Sequence, residues 1–292
     1  MTAPRTSADP TELLALAVAV AREAADLVAS GRATAAESVD VKSSPVDVVT
    51  AVDKASEELI TRRLLATRPD DGLLGEEGAS RAGSSGVRWV VDPIDGTVNF
   101  LYDVPAYAVS IAAEVDGEVV AGAVLNVATG ELFTASRGGG AQLSTPARPE
   151  PRRLTGSRPV SLEQTLVATG FGYREEQRRA QGAVVAQLVP RVRDIRRFGS
   201  AALDLCAAAA GRVDAYYELH LNPWDHAAGA LVAAEAGLTV TGLPGRPFAE
   251  PMAIVAASSI ADAFVDLVAE LSKDLPAPRP SQARGGTLRE GR

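Results

Sequence analysis

The 292-residue chain is 46% hydrophobic and 23% charged, enough apolar mass for one large domain or two lobes and not a disordered composition. Its formal charge of −8 excludes a general nucleic-acid-binding surface, which would be basic, and requires bound cations to attract any anionic substrate. A single cysteine, Cys206, excludes an intrachain disulfide, and the alanine-rich run around it marks it as a small core residue.

In chain order, residues 1–10 read as a loose arm without the basic-then-apolar pattern of a signal peptide. From Thr11, the positions Leu13, Ala17, Val20, Ala24 and Leu27 recur at helical spacing until Gly31. Arg22, Glu23 and Asp26 interrupt that run and exclude it as a membrane span, so no membrane partner is expected; the lone cysteine is in keeping with an expected location in the cytoplasm. A polar loop around residues 42–47 precedes a second predicted helix over 52–66, which stops before Arg68-Pro69. Apolar runs at 72–74 and 88–91 read as strands, each leading to a carboxylate. Residues 107–114, 118–126 and 131–136 read as a meander turning at Asp116-Gly117 and Thr129-Gly130.

A second lobe is placed at 151–273, after a first at 11–150. It holds predicted strands at 166–169, 214–218 and 253–257, and helices at 175–189, 200–211, 225–236 and 260–271. Residues 274–292 lack apolar periodicity and read as a disordered tail. Mixed strands and helices with buried faces predict an α/β or α+β layered sandwich.

The chemistry centres on Asp92-Pro93-Ile94-Asp95-Gly96-Thr97, at the end of the buried run Trp89-Val90-Val91. Carboxylate oxygens suit hard cations such as Mg²⁺, and Pro93 limits the backbone so that the Ile94 carbonyl can also face a metal. The Gly96-Thr97 step, opening a helix, can offer backbone N–H groups to an anion. Together these features predict a site where divalent metal and phosphate meet. The plain alternative is that Asp92, Asp95 and Asp225 are turn or helix-cap residues, and Asp53 likewise the cap of the helix it opens. Lys42 reads either as a contact for an incoming phosphate or as a solvated surface lysine, in a loop suited to a lid. His220 and His226 are assigned to structure, because an oxygen-rich site already suits Mg²⁺.

The run resembles the signature of the inositol monophosphatase family of Mg²⁺-dependent, lithium-sensitive phosphatases. Gly75-Glu76-Glu77 and Trp224-Asp225-His226-Ala227-Ala228-Gly229 resemble the family's other two metal-binding elements, in the family's order. The segment from Lys42 through Thr50 and Asp53 is similar as well. The resemblance implies an αβαβα fold, a homodimer and two to three Mg²⁺ ions. Glu76, Asp92 and the Ile94 carbonyl would hold one ion, Asp92, Asp95 and Asp225 a second, and a third near Glu76 would supply the attacking water. Thr97 and Asp53 would orient and deprotonate that water, with Glu76 also in the catalytic set. Gly96 and Thr97 would cradle the phosphate, while Ala201, Glu218 and Asp225 would meet the substrate, a small phosphate ester. Glu77 is expected to support its neighbours rather than ligate. Tyr173 stands where inositol-specific members often carry serine, which leaves the substrate open among myo-inositol 1-phosphate, fructose 1,6-bisphosphate and histidinol phosphate, with adenosine 3′,5′-bisphosphate ranked last. The rival reading is an interaction protein of RNA processing or transcription.

Overall fold

The computed structural model describes residues 8–33, 39–42 and 48–273; most of the predicted arm, the loop 43–47 and the predicted tail lie outside the described residues. Helix α1 (Pro10–Gly31) begins where Asp9 accepts a 2.8 Å hydrogen bond from Thr11 N and Pro10 occupies the first turn. Its buried stripe is Leu13, Ala17, Val20, Ala21, Ala24, Ala25 and Val28. A short ribbon, β1 (Val39–Val41) and β2 (Val48–Thr50), leads into α2 (Ala51–Thr67).

The first sheet is then laid down by β3 (Gly72–Gly75), β4 (Ser80–Arg81) and β5 (Val87–Asp95), followed by the short helix α3 (Thr97–Tyr102). It continues through β6 (Ala108–Val115), β7 (Glu118–Asn126), β8 (Leu132–Ser136), β9 (Gly140–Thr145) and β10 (Arg148–Arg153). The eight strands run in the order β10-β9-β8-β7-β6-β5-β3-β4, with β3 and β5 parallel and the other pairs antiparallel. The second sheet takes β11 (Leu166–Thr169), β12 (Asp194–Arg196), β13 (Ala215–Leu219), β14 (Thr239–Thr241) and β15 (Met252–Ala256), in the order β12-β11-β13-β15-β14. Helices α4 (Glu175–Leu188), α5 (Ala201–Ala209), α6 (Pro223–Glu235) and α7 (Ala261–Leu271) complete the described chain.

Three apolar clusters define the layers. One lies between α1–α2 and the first sheet, one places α5–α6 between the two sheets, and one packs α4 and α7 on the outer face of the second sheet. The order helix, sheet, helix, sheet, helix is the expected αβαβα sandwich. The middle layer is thin because it is built on small residues. A Cβ on Gly122 of β7 would stand 3.0 Å from the Ala228 Cα of α6, and one on Gly229 would stand 2.9 Å from the Leu205 Cβ of α5. Close packing thus carries α5 and α6, each with its N-terminus, up against the ends of the first-sheet strands.

The first sheet runs on past the predicted meander through β9 and β10 to Arg153, beyond the residue 150 taken as the end of the first lobe. Strands β1, β2, β4, β12 and β14, all two or three residues long, also went unpredicted. Among the described residues no helix is long and apolar enough to cross a membrane.

Candidate active site

Strands β3 and β5 run parallel with Gly75 opposite Val91, so the residues that follow them emerge side by side. The Glu76 amide donates to the Val91 carbonyl at 3.2 Å, which sets Glu76 beside Asp92. A crevice outside the carboxyl ends of adjacent parallel strands is where open α/β sheets place ligands. Asp92 and Asp95 are three apart, and in a regular strand that spacing would point them to opposite faces. The β5–β6 register solves this: Asp92 pairs with Ser110 but Asp95 with Ala108, so β5 holds one extra residue, a bulge. Both carboxylates consequently line the same cavity. What the sequence presents as a turn is a continuation of the strand, with Ile94 1% exposed.

Gly96 caps α3 with φ of +92°, and a Cβ there would lie 2.9 Å from the Ala106 carbonyl oxygen, so only glycine fits. The adjacent Thr97 hydroxyl is 3.0 Å from Asp53 Oδ1 and 3.1 Å from the Ile94 carbonyl. Asp53 is not the helix cap. Thr50 is, and Asp53 completes a capping box from the third position, its Oδ2 accepting from Thr50 N at 2.9 Å and Thr50 Oγ1 at 2.5 Å. Asp225 repeats the arrangement on α6: Asn222 is the cap, and Asp225 Oδ2 accepts from Asn222 N at 2.6 Å. In both cases one carboxylate oxygen is spent on the helix start, and in Asp53 the other faces Thr97.

The opposite wall comes from the middle layer and the second sheet. Asp95 Oδ2 accepts from Ser200 Oγ at 2.5 Å and Ala202 N at 2.7 Å, tying the end of β5 to the start of α5. Ala201 lies between them on the wall. Glu218 of β13 accepts a 2.8 Å hydrogen bond from the Tyr216 hydroxyl. Glu76, Asp92, Ile94, Asp95, Gly96, Thr97, Ala201, Glu218 and Asp225 all line this cavity of about 300 Å³. Asp53 stands behind it through Thr97. Lys42 is not on the cavity wall: its ammonium pairs with Glu76 Oε1 at 2.8 Å and Glu77 Oε1 at 2.5 Å, beside the carboxylates that line it. Tyr173 sits on the rim, 49% exposed.

Burial and mutual repulsion dominate the electrostatics. Burial first, then the charges of Glu76, Asp95 and Asp225, push Asp92 well above the usual carboxylate range. Burial likewise raises Asp95 against the lowering bonds from Ser200 and Ala202, and raises Asp225 with help from Asp95. Glu77 and Glu218 are each lifted by burial to about 7. Oxygen-only donors, several formal negative charges and an ammonium already drawn onto Glu76 fit a hard divalent cation in chemistry and charge. Among the described residues no three acidic, histidine or cysteine side chains are already closed into a metal-holding cluster.

The model of the inositol monophosphatase family matches residues 9–275 of this chain. The chain belongs to the inositol monophosphatase family. It is 46% identical over 274 residues to the inositol-1-monophosphatase of Mycobacterium leprae, covering 88% of this chain and 93% of that protein. It is 40% identical over 235 residues to the Nus factor SuhB of Escherichia coli K12, covering 80% and 86%. The solved structure of Mycobacterium tuberculosis SuhB superposes with a TM-score of 0.77 at 43% identity, covering 90% of this chain and 97% of that one.

Two residues of this inositol monophosphatase family member escaped the sequence reading. Ser200 donates to Asp95 Oδ2 and caps α5 by accepting from Leu203 N. Asp204, on the cavity wall and 1% exposed, has an Oδ1 atom without a hydrogen-bond partner. Its place in the apolar run of α5 gave no signal beyond the oddity of an aspartate among alanines. Of the two histidines, His226 packs edge-on against Phe248 at 5.2 Å and is driven down to about 4 by burial, whereas His220 lies on the cavity wall.

Proposed function

We propose that this chain is a Mg²⁺-dependent phosphomonoesterase hydrolysing myo-inositol 1-phosphate or a related sugar phosphate, by direct in-line attack of water and without a phosphoenzyme. The observation that carries this reading is the convergence of Glu76, Asp92, Asp95 and Asp225 on one cavity beside the Thr97–Asp53 pair. Glu76, Asp92, Asp95, Asp225 and the Ile94 carbonyl are the residues that would hold the two to three ions the family resemblance implies. Bound Mg²⁺ supplies charge neutralisation of the phosphoryl oxygens and a lowered pKa for water.

The chain's own residues do the rest. Thr97 accepts a hydrogen bond from the attacking water while its hydroxyl proton points to Asp53 Oδ1, 3.0 Å away. Burial holds Asp53 above the ordinary carboxylate range, which makes it a better proton acceptor, and the capping box fixes its orientation. The water oxygen bonds to phosphorus as its proton passes through Thr97 to Asp53, the ester P–O bond breaks, and the leaving alkoxide takes a proton from solvent water while Asp53 returns its own to solvent. Glu218 and Ala201 face the leaving group, where a carboxylate accepts hydrogen bonds from polyol hydroxyls. Lys42, now paired with Glu76, would give up that carboxylate to a bound cation. A cytoplasmic homodimer and inhibition by Li⁺ belong to the same reading.

The test is phosphate release from inositol 1-phosphate, fructose 1,6-bisphosphate, histidinol phosphate and adenosine 3′,5′-bisphosphate, with Mg²⁺ and with EDTA. Mg²⁺-dependent preference for one compound supports the proposal; silence across the panel from a folded protein overturns it. The Nus-factor name of the E. coli relative supports a second reading, a partner-binding role in transcription. In that case the Asp95→Asn variant, inactive on every ester, would retain the partner-dependent function.

A further inference from the structure

The first two turns of helix α2 bury three polar residues on the side toward the site. Asp53, Ser56 and Glu57, at helical spacing, are 0%, 0% and 5% exposed. Asp53 meets Thr97 and Ser56 Oγ lies 3.4 Å from the Pro93 carbonyl, so two of the three touch the β5 bulge and the start of α3. Glu57 has a different target. Its Oε2 accepts from Glu77 N and its Oε1 from Ala79 N, both at 2.8 Å. Those amides belong to the tight connection between β3 and β4, closed by a 2.7 Å bond from Gly75 N to the Ala79 carbonyl. Gly75 leaves the room: a Cβ there would run into the Glu57 carboxylate.

We propose that Glu57 is a positioning residue that holds the Glu76 carboxylate over the end of β5 and so sets the protein's affinity for divalent cation. A buried carboxylate is costly unless its oxygens are paired, and here both are paired with the same short loop. The loop's third anchor is the Glu76 amide on Val91. With Glu57 in place the backbone on both sides of Glu76 is fixed, and only its side chain is left to exchange Lys42 for a cation. Without it, the loop loses the two bonds that lie immediately C-terminal to Glu76. The inference rests on the reading of Glu76 as a ligand, and the experiment separates the two.

Mg²⁺ alone is titrated into the full-length wild-type protein and Glu57→Gln, followed by calorimetry and by the Mg²⁺-induced rise in melting temperature. Glutamine keeps the shape but sets an NH₂ group against one of the two amides. The expected result is Mg²⁺ binding weakened by about 10- to 100-fold, with the metal-free melting temperature close to wild type. Phosphate release at saturating Mg²⁺ returns near the wild-type kcat. Glu58→Gln, on the exposed side of the same helix, is expected to leave the Mg²⁺ midpoint unmoved. Equal Mg²⁺ binding by wild type and Glu57→Gln overturns the positioning role, whether or not the variant melts early. If Glu57→Gln does not fold, Gly75→Ala perturbs the same contact from the loop side and must weaken Mg²⁺ binding in its place. A wild type that binds no Mg²⁺ would refute the proposed function itself.

Discussion

Replacing Glu218 by glutamine removes a titrating group from the inner wall of the cavity while keeping an acceptor for the Tyr216 hydroxyl. Burial lifts the Glu218 carboxyl from its ordinary 4.5 to about 7, opposed by the Tyr216 bond and Arg197. The folded protein therefore keeps a proton that the unfolded chain releases from pH 4.5 upward. The stability this contributes is fully present below pH 4.5 and is lost as pH rises through about 7. At 1.36 kcal/mol per pH unit the gap is worth about 3 kcal/mol in all, most of it between pH 5 and 8. Urea unfolding in EDTA, followed by the fluorescence of Trp89 and Trp224, measures it at both pH values. Wild type is expected to lose roughly 2–3 kcal/mol more than Glu218→Gln on going from pH 5 to 8. Parallel losses in the two proteins would refute the account of Glu218 as a buried, proton-holding carboxyl.

Other substitutions probe the remaining links. Asp95→Asn is expected to abolish metal-dependent phosphate release while its melting temperature stays near wild type, since an amide oxygen still accepts from Ser200 and Ala202; full activity would sink the assignment. Thr97→Val should lower kcat by about 10²- to 10⁴-fold at saturating Mg²⁺, read in phosphate-release assays, because it removes the hydroxyl between water and Asp53. Gly229→Ala should cost about 1–3 kcal/mol in urea unfolding, as the new methyl group drives α6 off Leu205 and the Ala202 carbonyl. Adding Mg²⁺ to 100 times its dissociation constant should stabilise the protein by about 2.7 kcal/mol, and EDTA should reverse that gain in a thermal melt.

The helices were legible because their stripes are long and their stops are strong: α1 ends at the predicted Gly31, and α2 and α7 fall within a residue of expectation at each end. Strand β10 was not, since Arg148–Arg153 is exposed throughout and shows no alternation to read. The shortest strands are edges or ribbons whose pairing is set by distant partners. At the site, residue types and order were visible, but their orientation was not. The spacing of Asp92 and Asp95 marks a motif, whereas the extra residue that brings them to one face exists only in the register with β6. For Asp53 and Asp225 the plain alternative was a helix cap, because an acid near a helix start commonly is one; the sequence signs of a capping box, Thr50-Ala51-Val52-Asp53 and Asn222-Pro223-Trp224-Asp225, were there to be seen. Ser200 and Glu57 meet their targets across 105 and 20 residues of chain, distances at which no local pattern speaks.

The paired use of Asp53 and Asp225 has a dynamic consequence. Each carboxylate stitches the first turn of its helix to the residue three before it, so fraying of α2 or α6 at its start and misplacement of the site carboxylate are one motion. The amide protons of Thr50 and Asn222 donate to these same oxygens. Their exchange with solvent deuterium is therefore a clock for how often the site is assembled, readable without substrate.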